Sequence, residues 1–424
     1  MHDIIENGYG QEMYNKYTDF IDQFGARPSG TENLENAINH MINLTFANGL
    51  YDVNTEEVDV PHWVRGFESA KMIEPYEKPI KILGFGTSVS TSLAGISAEA
   101  IVIKSFEELE KMDEENIKGR IVIFDAHYVS YGETVIYRTQ GASKAAKKGA
   151  VAALIRSITP FSIYTTHTGA QFYENNVTKI PTAAITLEDA DMLRRIQDRK
   201  ENNQRLWLHI NMTNSFDMKK SRNTLIDLKG KEYPEKQVIV SGHIDSWDVG
   251  TGAMDDGGGM MISWFVPVIL NKLNLKPKRT VRAILWTSEE PGLIGAQAYL
   301  NKHIKELDNI NFIMESDEGT FKPLGLDVAG TNTTRCIIAE VLKLFKPIDK
   351  LTNSGSPGSD ITMFVAKGVP GASLLNQNER YFWYHHSEGD TLNVQSMPDV
   401  IECAAFWAAV SYVVADLSVD LPRN

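Results

Sequence analysis

The stretch Val238-Ile239-Val240-Ser241-Gly242-His243-Ile244-Asp245-Ser246-Trp247, continuing to Gly252-Ala253-Met254-Asp255-Asp256-Gly257-Gly258-Gly259, decides how the chain reads. A β-branched run ending in Gly-His has the pattern of a parallel strand buried on both faces, delivering His243 at its carboxyl end. Open α/β sheets place their ligand sites at that end. Asp255 follows in a glycine-rich loop. A carboxylate has two oxygens and can bridge two cations about 3.5–4 Å apart, whereas an imidazole nitrogen serves only one. Asp255 is therefore the expected bridging ligand. Asp245, two residues past His243, is expected to accept the other ring N–H and fix which nitrogen faces the metal.

Working outward, a second apolar run, Thr280 to Trp286, leads into Thr287-Ser288-Glu289-Glu290-Pro291-Gly292. Adjacent glutamates at a strand end point in different directions, so one can hold a metal while the other reaches an attacking water. Glu290 is read as the ligand and Glu289 as the general base. A third run, Asn311 to Met314, continues into Glu315-Ser316-Asp317, and a late segment reads Tyr384-His385-His386-Ser387-Glu388-Gly389-Asp390-Thr391. Asp317 and His386 are expected to add one ligand to each metal. Any one of these residues alone is more often a satisfied polar group or solvated surface. Their coincidence, each at a strand end or in a loop, points to a two-metal hydrolase site.

With these motifs in hand, the chain resembles the zinc peptidases of family M28, the co-catalytic aminopeptidase and glutamate carboxypeptidase group. The family order of His, bridging Asp, catalytic Glu, ligand Glu, Asp and His falls on His243, Asp255, Glu289, Glu290, Asp317 and His386. The strings Ser241 to Gly250 and Val369-Pro370-Gly371-Ala372-Ser373-Leu374-Leu375 resemble one branch of that family more closely. The resemblance spans nearly the whole chain. It implies two zinc ions per chain, and hydrolysis of small peptides, chiefly dipeptides with both ends free. A water activated by the zinc pair would attack with Glu289 as base. It also implies a secreted or lysosomal homodimer.

Two departures from the family pattern bear on detail. Where related glutamate carboxypeptidases carry a Tyr just before the last ligand His, this chain has His385, with Tyr384 one position earlier. His385 is accordingly an auxiliary candidate, a donor to the substrate carbonyl, against the plainer reading that it packs. In Gly358-Ser359-Asp360-Ile361, many relatives have His after the Asp. Capping of a helix from Ile361 to Lys367 accounts for Asp360.

Composition is compatible with this reading. The 424 residues suit two or three domains. A net charge of −13 and the lack of a basic stripe argue against a nucleic-acid partner. Two cysteines, Cys336 and Cys403, sit in apolar stretches of helical pattern and read as buried free thiols. No apolar run approaches the roughly 18 residues a membrane span needs, and the amino end lacks a signal-peptide core. The chain is then cytosolic or a mature form. Four Asn-x-Ser/Thr sequons, at Asn43, Asn176, Asn211 and Asn332, tilt the choice toward secretion.

The predicted architecture is α/β, a mixed but mostly parallel sheet covered by helices. Residues 1–96 would form the first part of the peptidase domain, 97–213 an inserted β-rich module resembling a protease-associated domain, and 214–424 the metal-binding core. His127 and His167, in the insert, read as satisfied or exposed. Thr31 is a candidate cap for the second of two amino-terminal helices, and Met397 to Leu417 reads as an apolar core helix. Helix openings after Asp255 and after Glu290 would put both carboxylates at positive helix ends. Substrate direction stays open, with Glu318, Glu388 and Arg380 as candidates for gripping a free terminus. Rival readings are a non-catalytic receptor or a glutaminyl cyclase on the same fold. A serine hydrolase is poorly supported, because no Ser has a suitable His and Asp string.

Overall fold

The computed structural model describes residues 1–199, 205–355 and 357–423. The chain divides into two units. The first comprises Met1–Pro61, Met218–Tyr381 and Gly389–Asn424, and the second His62–Asp217 with Phe382–Glu388. The second unit thus begins earlier than residue 97, because strand Val53–Glu74 runs on past Pro61 without a break. Strand Trp207–Leu228 likewise carries the chain back into the first unit.

In the first unit the strands lie in the order Lys350–Thr352, Pro323–Ala329, Gly371–Asn376, Ile310–Glu315, Tyr233–His243, Arg279–Trp286, and then the end of Trp207–Leu228. Tyr233–His243 is central and parallel to both neighbours, with Trp286 opposite His243 and Glu315 opposite Ser241. That register brings three strand ends to one level, and each is followed by one of the predicted acidic motifs. The edges turn antiparallel, where Pro323–Ala329 meets Gly371–Asn376 and where Arg279–Trp286 meets Leu228 and its neighbours.

Alternation explains why the central strand reads as one apolar run. Val238 and Val240 pack into a core with Tyr17, Phe20, Trp264 and Trp407, while Ile239 faces the opposite core with Trp286, Tyr299 and Phe364. Both faces are covered, so the period of two is hidden by apolar residues on each side. Each such fully buried side chain contributes about 1.5–3 kcal/mol. Helices Gly258–Lys272 and Met397–Asp416 form the layer over the first core. Their indole groups are satisfied, Trp264 Nε1 donating to Thr45 Oγ1 at 2.8 Å and Trp407 Nε1 to Ser263 Oγ at 3.0 Å. Met397–Asp416 is long and apolar enough to cross a membrane by length and composition, contrary to the expectation from sequence. Its apolar residues are used in this core.

The amino-terminal helices are Tyr9–Phe24 and Glu32–Ala47, and Thr31 caps the second by accepting the N–H of Leu34 at 3.2 Å. Cys403 is buried as expected, but Cys336 is exposed, because only one face of its helix, Asn332–Leu342, turns inward. Both are free thiols.

The second unit has parallel strands Ile96–Ile103, Ile121–Phe124, Ala152–Arg156 and Thr182–Ile185, closed by antiparallel Ile82–Gly84 at one edge and Trp207–Ile210 at the other. Helix Ile136–Lys147 belongs to the core on one face and Leu187–Arg199 to the core on the other. Strands hold more of this unit than helices do, in keeping with a β-rich module.

Candidate metal centre

His243 is fully buried at the end of its strand, and its ring is pinned between defined partners. Nδ1 lies 3.0 Å from the main-chain carbonyl of Asp245. A carbonyl only accepts, so Nδ1 carries the hydrogen and Nε2 is the nitrogen left free to face a cation. Asp245 does fix the tautomer, but through its backbone, since its carboxylate stands 3.7 Å from Nδ1. That carboxylate accepts instead from Glu289 N at 2.9 Å and from Glu290 N at 3.3 Å. Ser288, at φ 59°, makes the left-handed turn that brings both N–H groups round.

His243 Nε2 is 3.2 Å from Asp255 Oδ1 and 3.1 Å from Asp317 Oδ1. The three ligand atoms fall within 4.8 Å of one another. A neutral imidazole would aim a lone pair at two carboxylate oxygens, so the arrangement demands either a proton on Nε2 or a metal cation. Burial alone would lower the His243 pKa. Asp317 and Asp255, with Glu289, override burial and raise it well above the ordinary value. One nitrogen and several carboxylate oxygens form a donor set that suits zinc.

The carboxylates around His243 are individually anchored. Asp317 Oδ2 accepts the Ser359 hydroxyl, and the Asp317 carbonyl accepts Tyr381 Oη at 3.0 Å. Asp390, which carried no assigned role in the sequence reading, takes Met254 N at 2.7 Å and Asp255 N at 3.2 Å with its two oxygens. Asp256, also buried, joins His243 N at 3.1 Å to Gly259 N at 3.0 Å. The helix end after the loop is thus engaged by the side chain of Asp256 rather than that of Asp255, and neither residue has helical backbone angles. Helix and strand meet so closely there that a Cβ on Gly242 would lie 2.5 Å from Asp256 Oδ2 and 2.6 Å from Met260 N. Only glycine fits before His243.

Glu315 corrects the capping assignment for Asp360. Glu315 Oε2 accepts Ser359 N at 2.7 Å and Ile361 N at 3.3 Å, whereas both oxygens of fully buried Asp360 lack a hydrogen-bond partner among the described residues. The helix there is a single turn, Thr362–Val365. Burial, reinforced by Asp317, pushes the Glu315 pKa up to about 8. Burial and the Asp255 charge push Asp390 up to about 7. Burial, with Asp317 and Glu290, raises Glu289 well above the carboxylate range. Carboxyl groups crowded this way are poised to lose protons to a cation.

Glu290 is buried and Glu289 partly accessible. The helix predicted after them forms one turn later, at Ile294–His303.

His385 and His386 belong to the second unit. There Thr159 Oγ1 donates to the Phe382 carbonyl at 2.6 Å, Thr168 N to the His386 carbonyl at 2.9 Å and His167 Nδ1 to the His385 carbonyl at 2.6 Å. His167 is thus satisfied on Nδ1, while His127 is exposed. His386 Nδ1 sits 3.2 Å from the Thr168 carbonyl, which by the same logic puts the hydrogen on Nδ1 and the lone pair on Nε2. The His385 ring is buried and packs edge-on against Tyr131.

This fold and this donor set belong to a known class. Residues 223–411 match the profile of peptidase family M28. Near-full-length relatives are similar at well above the level that fold alone would give, and the chain belongs to that family and is a metallopeptidase. It is 49% identical to Carboxypeptidase Q of Xenopus laevis, over 99% of this chain and 90% of that one. It is 46% identical to Carboxypeptidase Q of Homo sapiens, over 97% and 87% of the two chains. A peptidase M28 precursor from Shewanella amazonensis SB2B superposes with a TM-score of 0.91 at 30% identity, covering 100% of this chain and 99% of that one.

Proposed function

We propose that the chain is a two-zinc exopeptidase that hydrolyses small peptides, chiefly dipeptides with free termini. In this reading His243, Asp255, Glu290, Asp317 and His386 would hold the metals, with Asp255 the ligand they would share, and Glu289 would be the general base. The observation that carries it is the His243 ring, whose Nε2 stands 3.1–3.2 Å from Asp255 and Asp317 while its Nδ1 is committed to a carbonyl. The role of His386 rests on the family order of the motifs and on its Nδ1 facing a carbonyl.

Zinc, when bound, supplies Lewis acidity that lowers the pKa of a water and polarises a carbonyl. The chain's own part is proton transfer and orientation. Glu289 accepts the proton of the attacking water on its carboxylate and then delivers it to the leaving amine nitrogen. Asp245 holds the backbone from which that carboxylate projects. The similarity to proteins named Carboxypeptidase Q favours peptide cleavage over the receptor and cyclase readings.

On the family resemblance of its motifs, the chain is further proposed to be a secreted or lysosomal homodimer. Asn176 and Thr178 of one sequon are exposed, as a glycosylated chain requires.

The test is zinc content per chain in the wild type and in Glu289→Gln, with hydrolysis of an unblocked dipeptide such as Ser-Met. Two zincs in both proteins and cleavage only by the wild type are expected. One zinc, or an active Glu289→Gln, rejects the mechanism.

A further inference from the structure

Arg27 is 0% exposed, in the loop between the two amino-terminal helices, and it hydrogen-bonds almost wholly to backbone. Nε donates to the Ile244 carbonyl at 2.7 Å, Nη1 to Thr251 at 2.9 Å and to Gly25 at 2.5 Å, and Nη2 to Gly252 at 2.8 Å. Its main chain adds two bonds to Ser246, Arg27 N to Ser246 Oγ at 2.9 Å and Ser246 N to the Arg27 carbonyl at 3.2 Å. Every partner but Gly25 lies in the stretch that leaves His243 and returns at Asp255. Burial lowers the Arg27 pKa, and Asp390, Asp245 and Asp256 oppose that shift in part.

A loop of this kind has no repeating hydrogen-bond ladder to set its shape, so its carbonyls need external donors. The planar fork of one arginine reaches three separate points on it, which a lysine ammonium cannot reproduce. We propose that Arg27 is a positioning residue of the metal centre: it holds residues 244–252 in the shape that brings Asp255 back against His243, and so sets zinc affinity. The proposal rests on the metallopeptidase reading of that site.

The experiment measures zinc affinity by competition with a chromophoric chelator, alongside the thermal midpoint of the metal-free protein, for wild type, Arg27→Lys and Arg279→Lys. Arg279 is the matched control, 2% exposed and donating to the carbonyls of Ala415 and Leu417 and to Asp420. Lysine keeps the charge at both positions. Arg27→Lys is expected to bind zinc roughly ten- to a hundredfold more weakly, the range typical of lost support behind metal ligands. Arg279→Lys is expected to lose stability with zinc affinity unchanged. Wild-type affinity in Arg27→Lys, or an equal loss in Arg279→Lys, overturns the proposal.

If Arg27→Lys shows no cooperative unfolding, Gly252→Ala takes its place. A Cβ at Gly252, whose φ is +57°, would lie 3.0 Å from Arg27 Nη2 and 2.4 Å from Ser246 Cβ, disturbing the same clamp with Arg27 intact. Unchanged zinc affinity in that variant also overturns it. A wild type that takes up no zinc would instead reject the underlying reading of the site.

Discussion

The Asp245 carboxylate accepts the backbone N–H of Glu289 at 2.9 Å, so the residue two places after one metal-ligand candidate holds the main chain of the proposed base, just past the end of the neighbouring strand. Its second oxygen takes the Glu290 N–H. Asp245→Asn keeps the shape but replaces one acceptor with a donor facing an N–H. We expect kcat to fall about 10- to 100-fold, with zinc retained. An undiminished kcat would show that Glu289 is oriented by other means.

His385 tests how the substrate carbonyl is met. If its ring donates to that oxygen, His385→Gln should lower kcat by roughly 10²-fold with little change in zinc content. A kcat within error of wild type would leave its packing against Tyr131, Phe382 and His386 as the role of the ring.

Removal of zinc should make stability depend on pH in a defined direction. Glu315 and Asp390 have folded pKa values of about 8 and about 7, above the ordinary carboxylate range of the unfolded chain. Over the interval between those limits the folded state keeps protons that the unfolded state releases, so stability falls as pH rises. The thermal midpoint of chelated protein is expected to drop from about pH 5 to pH 8, and added zinc to restore it. A flat or rising profile would contradict the crowding of these carboxyls.

At the far end of the sheet the sign reverses. Asp227 is buried and grips Arg282 at 2.7 and 2.8 Å. Burial alone would raise its pKa, yet Arg282 and Lys229 hold it below the ordinary value. Its contribution is present above the unfolded carboxylate pKa of about 4 and is lost as pH falls through the lower folded value. Asp227→Asn should cost about 3–5 kcal/mol at neutral pH in denaturant unfolding. The difference between variant and wild type should shrink in acid. A constant difference would reject the ion pair as its source.

What could be read in the sequence was whatever leaves a local trace. The run Val238 to Val240 shows a strand because both of its faces are buried, and Gly242-His243 marks the end of that strand because helix Gly258–Lys272 abuts it. Thr31 was legible as a cap since its partner is three residues away. Arg27 was not, because all its side-chain acceptors except Gly25 lie more than 200 residues on and nothing in the local sequence distinguishes it from a solvated arginine. Asp390 reaches Met254 across 136 positions. Division of one helix opening between Asp255 and Asp256 depends on backbone angles, which the string Asp-Asp-Gly-Gly-Gly does not specify.

The seven residues Phe382–Glu388 are held by the second unit, with His167 meeting the His385 carbonyl across 218 positions of sequence. Ribosomal synthesis proceeds from the amino end, so the whole of residues 62–217 has emerged before His386 does, with time to fold as a unit. Thr168 and its neighbours then form a ready mould for a peptide that arrives late. A shortened chain without residues 62–217 would still encode His386, but it would lack the carbonyl that selects the ring's tautomer.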